Sequence, residues 1–382
     1  MVESAIVRTP SRSRRAASAD RPIDFRSDTV TRPTKQMRAA MAAAEVGDDV
    51  LDGDPTTREL EERVADLVGA PAALWTPSGT MANLIALMSH VGRGDAFLAP
   101  AGSHVLDDEL GTAAWLAGGM PRPLEHDAGP GRVSPAAVRR AAGDPGPYFA
   151  LRTKLLCLEN THNHAGGVIT PPEQHAAVVA AARGAKLAVH LDGARLWHAA
   201  VALGVPPAAL TVGVDTVSVC LSKGLGAPAG SLVAGSVEFV EQARRLRKML
   251  GGGMRQSGVL AAAGLVALDN IDRLAEDHER ARTLAAGLRE RGWQASVPET
   301  NTVLVSVADL RGTLQRFAEA GVLVAPMGGK VRLVTHADLT DGDVKEALNR
   351  IGAVDRGGRP PSPGRSLLGR PVRATPVRPA GN

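Results

Sequence analysis

Short apolar runs alternate with longer segments of helical periodicity between about residues 24 and 250. This alternation is typical of strand–helix units that build a mainly parallel sheet. Three successive runs, at 155–158, 186–191 and 216–221, each end in polar residues. Because ligands of open α/β sheets bind beyond the carboxyl ends of the strands, we predict a functional site at this edge of the sheet.

The pattern changes after residue 257, where a long helical stretch continues to about residue 291. Predicted strands and helices then follow, with strands around 302–307, 322–325 and 331–335 and helices at 310–320 and 341–351. The chain is long enough for two domains. We therefore predict an α/β protein with a large domain at 23–256 and a small C-terminal α+β domain at 257–354.

The net charge of +4 comes from the two ends of the chain. Residues 1–22 hold five arginines against two acidic residues, and residues 355–382 hold six against one. Both segments are rich in Arg, Pro, Ser and Gly, and we predict disordered tails. Binding of nucleic acid by the tails is the alternative, and it predicts an affinity that is lost at high salt. With only 3% aromatic residues for base stacking, nucleic acid is not the partner we expect.

The cysteines and the apolar runs indicate a compartment. Cys157 and Cys220 are the only cysteines, and both lie in apolar runs, as buried thiols of a reducing environment do. No run reaches the roughly 18 apolar residues that a membrane helix needs. We therefore expect a cytoplasmic protein without a membrane partner.

Three features at strand ends and a helix start have a common chemical explanation. Lys223 precedes a glycine-rich segment, where a desolvated lysine could form an imine, although a solvated loop lysine is the alternative. Asp192 ends the neighbouring strand and could face a protonated pyridine nitrogen, although such an acid is also a common cap. Ser78-Gly79-Thr80 opens a helix and suits a phosphate, or is an ordinary N-cap. Together they indicate pyridoxal 5′-phosphate.

The segment His162-Asn163-His164 places two histidines close together, as some metal sites do. Two histidines without a carboxylate at a ligand-like interval do not form a zinc pattern, so we expect no metal.

Six longer segments appear in a fixed order along the chain: Phe25-Arg26-Ser27-Asp28-Thr29-Val30-Thr31, Gly47-Asp48-Asp49-Val50, Leu158-Glu159-Asn160-Thr161-His162-Asn163, His190-Leu191-Asp192-Gly193-Ala194-Arg195, Ser218-Val219-Cys220-Leu221-Ser222-Lys223-Gly224-Leu225-Gly226 and Lys248-Met249-Leu250-Gly251-Gly252-Gly253-Met254-Arg255-Gln256. These segments resemble those of low-specificity L-threonine aldolases, in the β-eliminating lyase and threonine aldolase family. The similarity runs from about residue 24 to about residue 350.

The resemblance implies a fold-type-I, transferase-like enzyme that uses pyridoxal phosphate and assembles as a homotetramer, a dimer of dimers. It assigns Lys223 to the aldehyde, Asp192 to the ring nitrogen and Arg195 to the phenolic oxygen side. It assigns the phosphate to a group of residues from two segments, namely Ser78, Gly79 and Thr80 together with Lys248 and Arg255 of the neighbouring subunit. His104 matches the histidine that stacks on the ring.

The same resemblance implies how an amino-acid substrate is held and cleaved. Ser27 and Arg332 match positions that hold the substrate carboxylate, for which a guanidinium is suited. His162 or His104 would remove the proton of the β-hydroxyl group. Retro-aldol cleavage of threonine would release glycine and acetaldehyde.

The chain departs from the family pattern near the expected entrance of the site. Leu51-Asp52-Gly53 stands where Tyr-Gly-Glu is usual, 106–112 lacks an aromatic residue and adds acids, and His164 replaces a common arginine. The substrate is therefore less defined than the cofactor. The alternatives are β-elimination or aldol chemistry on another β-substituted amino acid, and a catalytically silent member that binds a ligand or a partner.

Overall fold

The computed structural model describes residues 21–143 and 146–354. Its strands are β1 (Ile23–Asp24), β2 (Ala72–Thr76), β3 (Asp95–Pro100), β4 (Met120–Leu124), β5 (Arg152–Glu159), β6 (Ala188–Gly193), β7 (Thr216–Cys220), β8 (Ser231–Gly235), β9 (Gln294–Ala295), β10 (Thr302–Ser306), β11 (Val322–Leu323), β12 (Ala325–Met327) and β13 (Lys330–Val334). Its helices are α1 (Lys35–Ala43), α2 (Pro55–Val68), α3 (Gly79–His90), α4 (His104–Asp107), α5 (Thr112–Trp115), α6 (Pro135–Ala142), α7 (Pro172–Gly184), α8 (Leu196–Leu203), α9 (Val237–Met249), α10 (Gly258–Leu268), α11 (Leu274–Glu290), α12 (Leu310–Glu319) and α13 (Asp341–Gly352).

Seven strands form the central sheet, in the order β2-β8-β7-β6-β5-β3-β4. The pairs from β7 to β4 are parallel, and β8 runs antiparallel to both of its neighbours. The last residues of β5 and all of β7 are buried on both faces, which explains their continuous apolar runs. Because β5, β6 and β7 are parallel neighbours, their carboxyl ends meet at one edge of the sheet.

The helix α3 brings a second polar feature to this edge. Ser78 caps its start, because the hydroxyl oxygen accepts a hydrogen bond from the Met81 amide at 3.3 Å. The helix packs against β6, β7 and β8. Asn83 is the one polar residue among its buried positions, and it points toward the strand ends.

Two hydrophobic clusters correspond to a large and a small unit. The large cluster includes Trp75, Leu98 and Leu191 from the central sheet. The small cluster surrounds the antiparallel sheet β12-β13-β10-β9 and includes Trp293 and Phe317. The small unit is thus the α+β arrangement expected for the C-terminal part of the chain.

Two segments, one on each side of the predicted boundary at 256/257, pack in the hydrophobic cluster of the other unit. Helix α10 belongs to the large cluster and packs against α1 and α2, because it is apolar on all its faces and needs burial all round. Ile23 and Phe25 belong to the small cluster, and β1 pairs with β11. The chain therefore crosses between the units twice.

Several predicted elements are present with small differences in their bounds. The stretch predicted as one long helix at 257–291 is α10 and α11, separated by a 3-10 turn at Ile271–Arg273. The strand predicted around 322–325 is divided between β11 and β12, which pair with different partners. Of the predicted tails at 1–22 and 355–382, residues 1–20 and 355–382 lie outside the described residues, whereas Arg21 forms an ion pair with Asp343 at 3.1 Å.

Within the described ranges, no helix combines the length and the apolar character needed to cross a membrane.

The burial of Phe25 in the small cluster leads to a stability prediction. Its side chain is fully buried, so Phe25→Ala should lower the free energy of unfolding by about 3–5 kcal/mol. Urea denaturation followed by tryptophan fluorescence, to which Trp293 of the same cluster contributes, would measure the change. Val297→Ala is the control, because Val297 is 76% exposed and should change stability by less than about 0.5 kcal/mol. Equal effects of the two substitutions would contradict the assignment of Phe25 to this core.

Candidate active site

Polar groups from three neighbouring strands come together at the carboxyl edge of the central sheet. Glu159 ends β5 and lies opposite Asp192 of β6. Asp192 lies in turn opposite Ser218 of β7, and Lys223 follows that strand by three residues. The sheet register therefore unites residues that are far apart in the sequence.

Asp192 is a buried carboxylate with a dedicated set of hydrogen-bond donors. Its Oδ2 accepts from Asn83 Nδ2 at 2.8 Å, and its Oδ1 accepts from the Ala194 amide at 2.9 Å. Burial alone would raise the pKa of Asp192, but the positive charges of Lys223 and His104 and these hydrogen bonds lower it. Asp192 is thus ionised and suited to pair with a protonated ring nitrogen.

Asn83 is the centre of the network that holds Asp192. Its Nδ2 donates to Asp192 and also to Glu109 Oε1 at 2.9 Å. Its Oδ1 accepts from Ser218 Oγ at 2.7 Å and lies 3.1 Å from His190 Nε2. Because the amide nitrogen faces two carboxyl groups, this orientation of the amide is the one that the partners require.

His104 lies beside Asp192 and is held through Glu109. His104 Nδ1 lies 2.8 Å from Glu109 Oε1, and the imidazole is 31% exposed. Burial acts to lower the pKa of His104, but the Glu109 hydrogen bond and the charge of Asp192 outweigh it and raise the pKa. The contact fixes Nδ1 as the donor to Glu109 and leaves Nε2 as the ring nitrogen that gains or loses a proton.

Ser78, Gly79 and Thr80 form the start of α3, as predicted. The first turn of a helix leaves backbone N–H groups without partners inside the helix, and the helix dipole favours an anion there. Ser231 Oγ lies 3.5 Å from the position of a Cβ on Gly79, and it is buried without a hydrogen-bond partner in the part of the chain that the structure describes. This segment, called the anion cup below, is therefore suited to an anion, and the Ser231 hydroxyl beside it is an unused donor.

The amine of Lys223, the ionised carboxylate of Asp192 and this anion cup match the aldehyde, ring nitrogen and phosphate of pyridoxal phosphate. Burial acts to raise the pKa of Asp28, but Arg195 and then the charges of His198 and Lys223 lower it, so the Lys223 amine lies near a second acidic group. The residues present fit this cofactor.

A pair of guanidinium groups forms the second part of the site. Arg195 donates two hydrogen bonds to Asp28, Nε to Oδ2 at 2.8 Å and Nη2 to Oδ1 at 2.7 Å. Asn163 Oδ1 accepts from Arg195 Nη1 at 3.2 Å and from Arg332 Nη1 at 3.1 Å. Asp28 thus neutralises Arg195, while Arg332 keeps its positive charge without an acidic partner in the described chain.

Arg332 has the charge and, within the described chain, a free donor with which a guanidinium binds an anion. Its Nη2 donates to the Arg26 carbonyl at 3.0 Å, and its buried Nε has no partner among the described residues. Burial and the nearby Arg195 lower the pKa of Arg332 to about 10, so it is still protonated at neutral pH. Both influences disfavour the charge, and a bound carboxylate would relieve them.

Ser27 lies near this pair, next to Asp28. Its hydroxyl accepts from the Thr29 amide at 3.3 Å and lies 3.4 Å from Asp28 Oδ1. Its role toward a substrate carboxylate stays a prediction.

Lys248 and Arg255 lie at the end of α9 and in the turn that follows it. Arg255 pairs with Asp48 at 3.3 Å. Gly252, in the same turn, packs against Met81, because a Cβ there would overlap the Met81 sulfur. No hydrogen bond joins either cation to Ser78, Gly79 or Thr80 across residues 21–143 and 146–354, and their role at a neighbouring phosphate stays a prediction.

His162 and His164 have opposite environments. His162 is buried, its Nδ1 accepts from the Ala165 amide at 3.3 Å, and burial together with His126 and His164 lowers its pKa to about 4. His164 Nε2 lies 2.9 Å from Asp108 Oδ2, and this hydrogen bond raises its pKa despite partial burial. His162 is therefore neutral at pH 7, with its proton on Nε2.

Five residues of the site received no role in the sequence analysis, namely Asp28, Asn83, Glu109, Glu159 and Asn163. Three of them lie inside the segments that carry the family resemblance. Asn83 is a polar residue in an otherwise apolar helix, and this exception to the pattern was a usable signal.

Comparisons with known proteins find matches over most of the chain. The chain matches the β-eliminating lyase family over residues 24–310. Low-specificity L-threonine aldolase 1 of Arabidopsis thaliana is 43% identical over 344 residues, which cover 86% of this chain and 95% of that protein. Low specificity L-threonine aldolase of Escherichia coli K12 is 43% identical over 333 residues, which cover 87% of this chain and 97% of that protein.

Solved structures show the same fold at lower identity. Leishmania major threonine aldolase aligns with a TM-score of 0.74 at 20% identity, over 87% of this chain and 100% of that chain. Sphingomonas wittichii serine palmitoyltransferase aligns with a TM-score of 0.70 at 20% identity, over 87% of this chain and 86% of that chain. The predicted α/β, fold-type-I class is thus confirmed. Taken with the sequence matches, these findings show that the chain belongs to the β-eliminating lyase family, beside its low-specificity L-threonine aldolases.

Proposed function

We propose that this protein is a pyridoxal-phosphate-dependent lyase that cleaves L-threonine, L-allo-threonine and related β-hydroxy-α-amino acids to glycine and an aldehyde. The observation that carries the proposal is the convergence of Lys223, ionised Asp192 and the α3 anion cup beside Arg332, which has no acidic partner among the described residues. When bound, the cofactor supplies an aldehyde that joins an amine and a ring that accepts the electrons of a bond broken at Cα. Similarity to enzymes named L-threonine aldolases supports the substrate class.

Arg332 would determine which bond of the substrate is broken. A carboxylate held by its guanidinium would fix the rotation of the substrate about the bond between nitrogen and Cα, and this would select the Cα–Cβ bond for cleavage. Asn163 keeps the guanidinium in place, and Asp28 prevents Arg195 from competing for the carboxylate. Ser27 would add a hydroxyl donor at the same carboxylate.

We infer that His104, of the two candidate histidines, is the base for the β-hydroxyl proton. Its Nδ1 is bound to Glu109, and its raised pKa makes the neutral imidazole a stronger base. Nε2 accepts the proton above that pKa, where the ring has lost its charge. His162 carries its proton on Nε2, since Nδ1 already accepts from Ala165. His162 would instead support the loop beside Asn163.

The quaternary structure and the compartment are finer parts of the proposal. We propose a homotetramer in which Lys248 and Arg255 serve the phosphate of a neighbouring subunit. Exposed apolar side chains support association, with Leu51 75%, Leu110 97% and Trp115 76% exposed. The buried, unpaired Cys157 and Cys220 are compatible with a reducing cytoplasm.

Replacement of Lys223 tests the cofactor and the reaction together. Lys223→Ala, resupplied with pyridoxal phosphate, should lose the visible absorption of lysine-bound cofactor and at least about 10²–10⁴-fold in kcat, because the amine also moves protons. Glycine and acetaldehyde from L-threonine would be quantified for the wild type, with exposed Lys35→Ala as control. A keto acid and ammonia in place of glycine would indicate β-elimination. Wild-type protein that takes up no cofactor would exclude the proposal.

Arg332→Lys tests the carboxylate site. A lysine keeps the charge but loses the two-pronged contact, so KM for L-threonine should rise about 10–100-fold, the equivalent of a lost charged hydrogen bond. Steady-state kinetics would be compared with Arg282→Lys, which lies on an exposed part of α11. An unchanged KM in Arg332→Lys would rule out this role.

The opposite environments of the histidines give a pH prediction. Histidine-selective NMR should show His162 titrating near pH 4 and His104 above its ordinary value. Because the folded pKa of His162 is below its unfolded value, its contribution to stability is present above about pH 6.5 and is lost as the pH falls toward 4. His162→Asn should therefore lose less stability than the wild type between these pH values. A larger loss in the variant would contradict the assigned neutral state.

A further inference from the structure

Glu159 is a buried acid at the end of β5 that the proposed chemistry does not use. Its side chain accepts two main-chain hydrogen bonds, one at each oxygen. Oε2 accepts from the His104 amide at 2.7 Å, and Oε1 accepts from the Asn163 amide at 2.7 Å. The residue is 6% exposed and lies beside Asp192 in the sheet. Burial of a second acid next to Asp192 lowers the stability of the folded protein, so the hydrogen bonds of Glu159 point to a role that offsets this cost.

The two amides belong to separate segments with different tasks. His104 is the first residue of α4, and Ser103, at the N-cap position, makes no side-chain cap. The Glu159 carboxylate takes the place of that cap from a different part of the chain. Asn163 begins a turn, and its side-chain Oδ1 accepts hydrogen bonds from both Arg195 and Arg332. The Glu159 carboxylate thus holds the main chain at His104, the candidate base. It also holds the main chain at Asn163, whose side chain orients Arg332.

We propose that Glu159 is a positioning residue of this active site, which fixes the His104 segment and the Asn163 turn relative to each other and thereby aligns base and substrate carboxylate. This inference rests on the proposed function. A carboxylate is required, because both partners are N–H donors and an amide would present one N–H group to another. Glutamine has the same shape and would lose one of the two contacts.

Charges around Glu159 make its ionisation sensitive to pH. Burial and then Asp192 of β6 raise the pKa of Glu159 to about 7, although the two backbone hydrogen bonds and His104 act against this. The charge of Glu159 is also felt by Arg195, at the start of α8, and by His164, in the Asn163 turn. Protonation as the pH falls through about 7 would weaken one main-chain contact. The wild-type protein should therefore approach the behaviour of a glutamine variant at lower pH.

Amide hydrogen exchange tests the positioning without depending on activity. In Glu159→Gln, peptides covering 101–108 and 160–167 should exchange faster than in the wild type, with or without cofactor. Glu61→Gln is the matched control, because Glu61 is also a buried acid that accepts a main-chain N–H, from Trp75 at 2.8 Å. It should leave both peptides unchanged. Unchanged exchange in Glu159→Gln would overturn the inference.

Kinetics of the holoenzyme separate positioning from a purely structural role. For Glu159→Gln, kcat/KM for L-threonine should fall about 10–100-fold at pH 8, with changes in both kcat and KM. This is the size of effect expected when a catalytic group, here His104, is misplaced by a fraction of an ångström to an ångström. The ratio of wild-type to variant activity should shrink as the pH is lowered from about 8 to 6. Faster exchange with unchanged kinetics would reduce Glu159 to a structural residue. Failure of the wild type to form glycine would sink the proposed function instead, while the exchange result would still stand.

A second variant covers the case in which glutamine prevents folding. Glu159→Asp keeps the charge but is too short to reach both amides, and it should expose one of the two peptides to faster exchange. If neither variant folds, exchange in the wild type, corrected for the intrinsic pH dependence, should rise in both peptides as the pH falls below about 7. Constant protection over that interval would contradict the role of the carboxylate.

Discussion

The ionised carboxylate of Asp192, buried at the end of a central parallel strand, is the constraint on which the rest of the site depends. A buried charge is tolerated only with donors and opposite charges around it. Asn83 and the Ala194 amide supply the donors, and Lys223 and His104 supply the charges. Asn83 also ties α3, and with it the anion cup, to the sheet.

The same negative charge shapes the neighbouring acids. Glu109 and Glu159 both have raised pKa values, to which burial contributes first and Asp192 also contributes. Each of these acids is then used as an acceptor for the segment that carries His104, one at the ring and one at the backbone. The charge that suits the cofactor ring thus also organises the groups around the substrate.

The second organising contact is the pair between Asp28 and Arg195, which brings the small unit into the site. Asp28 follows Phe25, which is packed in the small cluster, and Arg332 lies on β13 of the small sheet. Asn163 links Arg332 to Arg195 across this boundary. The packing of the two units against each other therefore sets the distance between Arg332 and Lys223.

Local patterns in the sequence determined the strand–helix order, the fold class and the residues with the most distinctive chemistry, Lys223, Asp192 and Ser78 to Thr80, because each follows from its neighbours in the chain. Other features came only with the tertiary structure. The antiparallel β8, the place of α10 in the large core and the partners of Asn83, Glu159 and Asn163 depend on contacts between distant segments. Periodicity reports which face of an element is buried, but not against what, and a polar side chain shows its task only when its hydrogen-bond partners are in place.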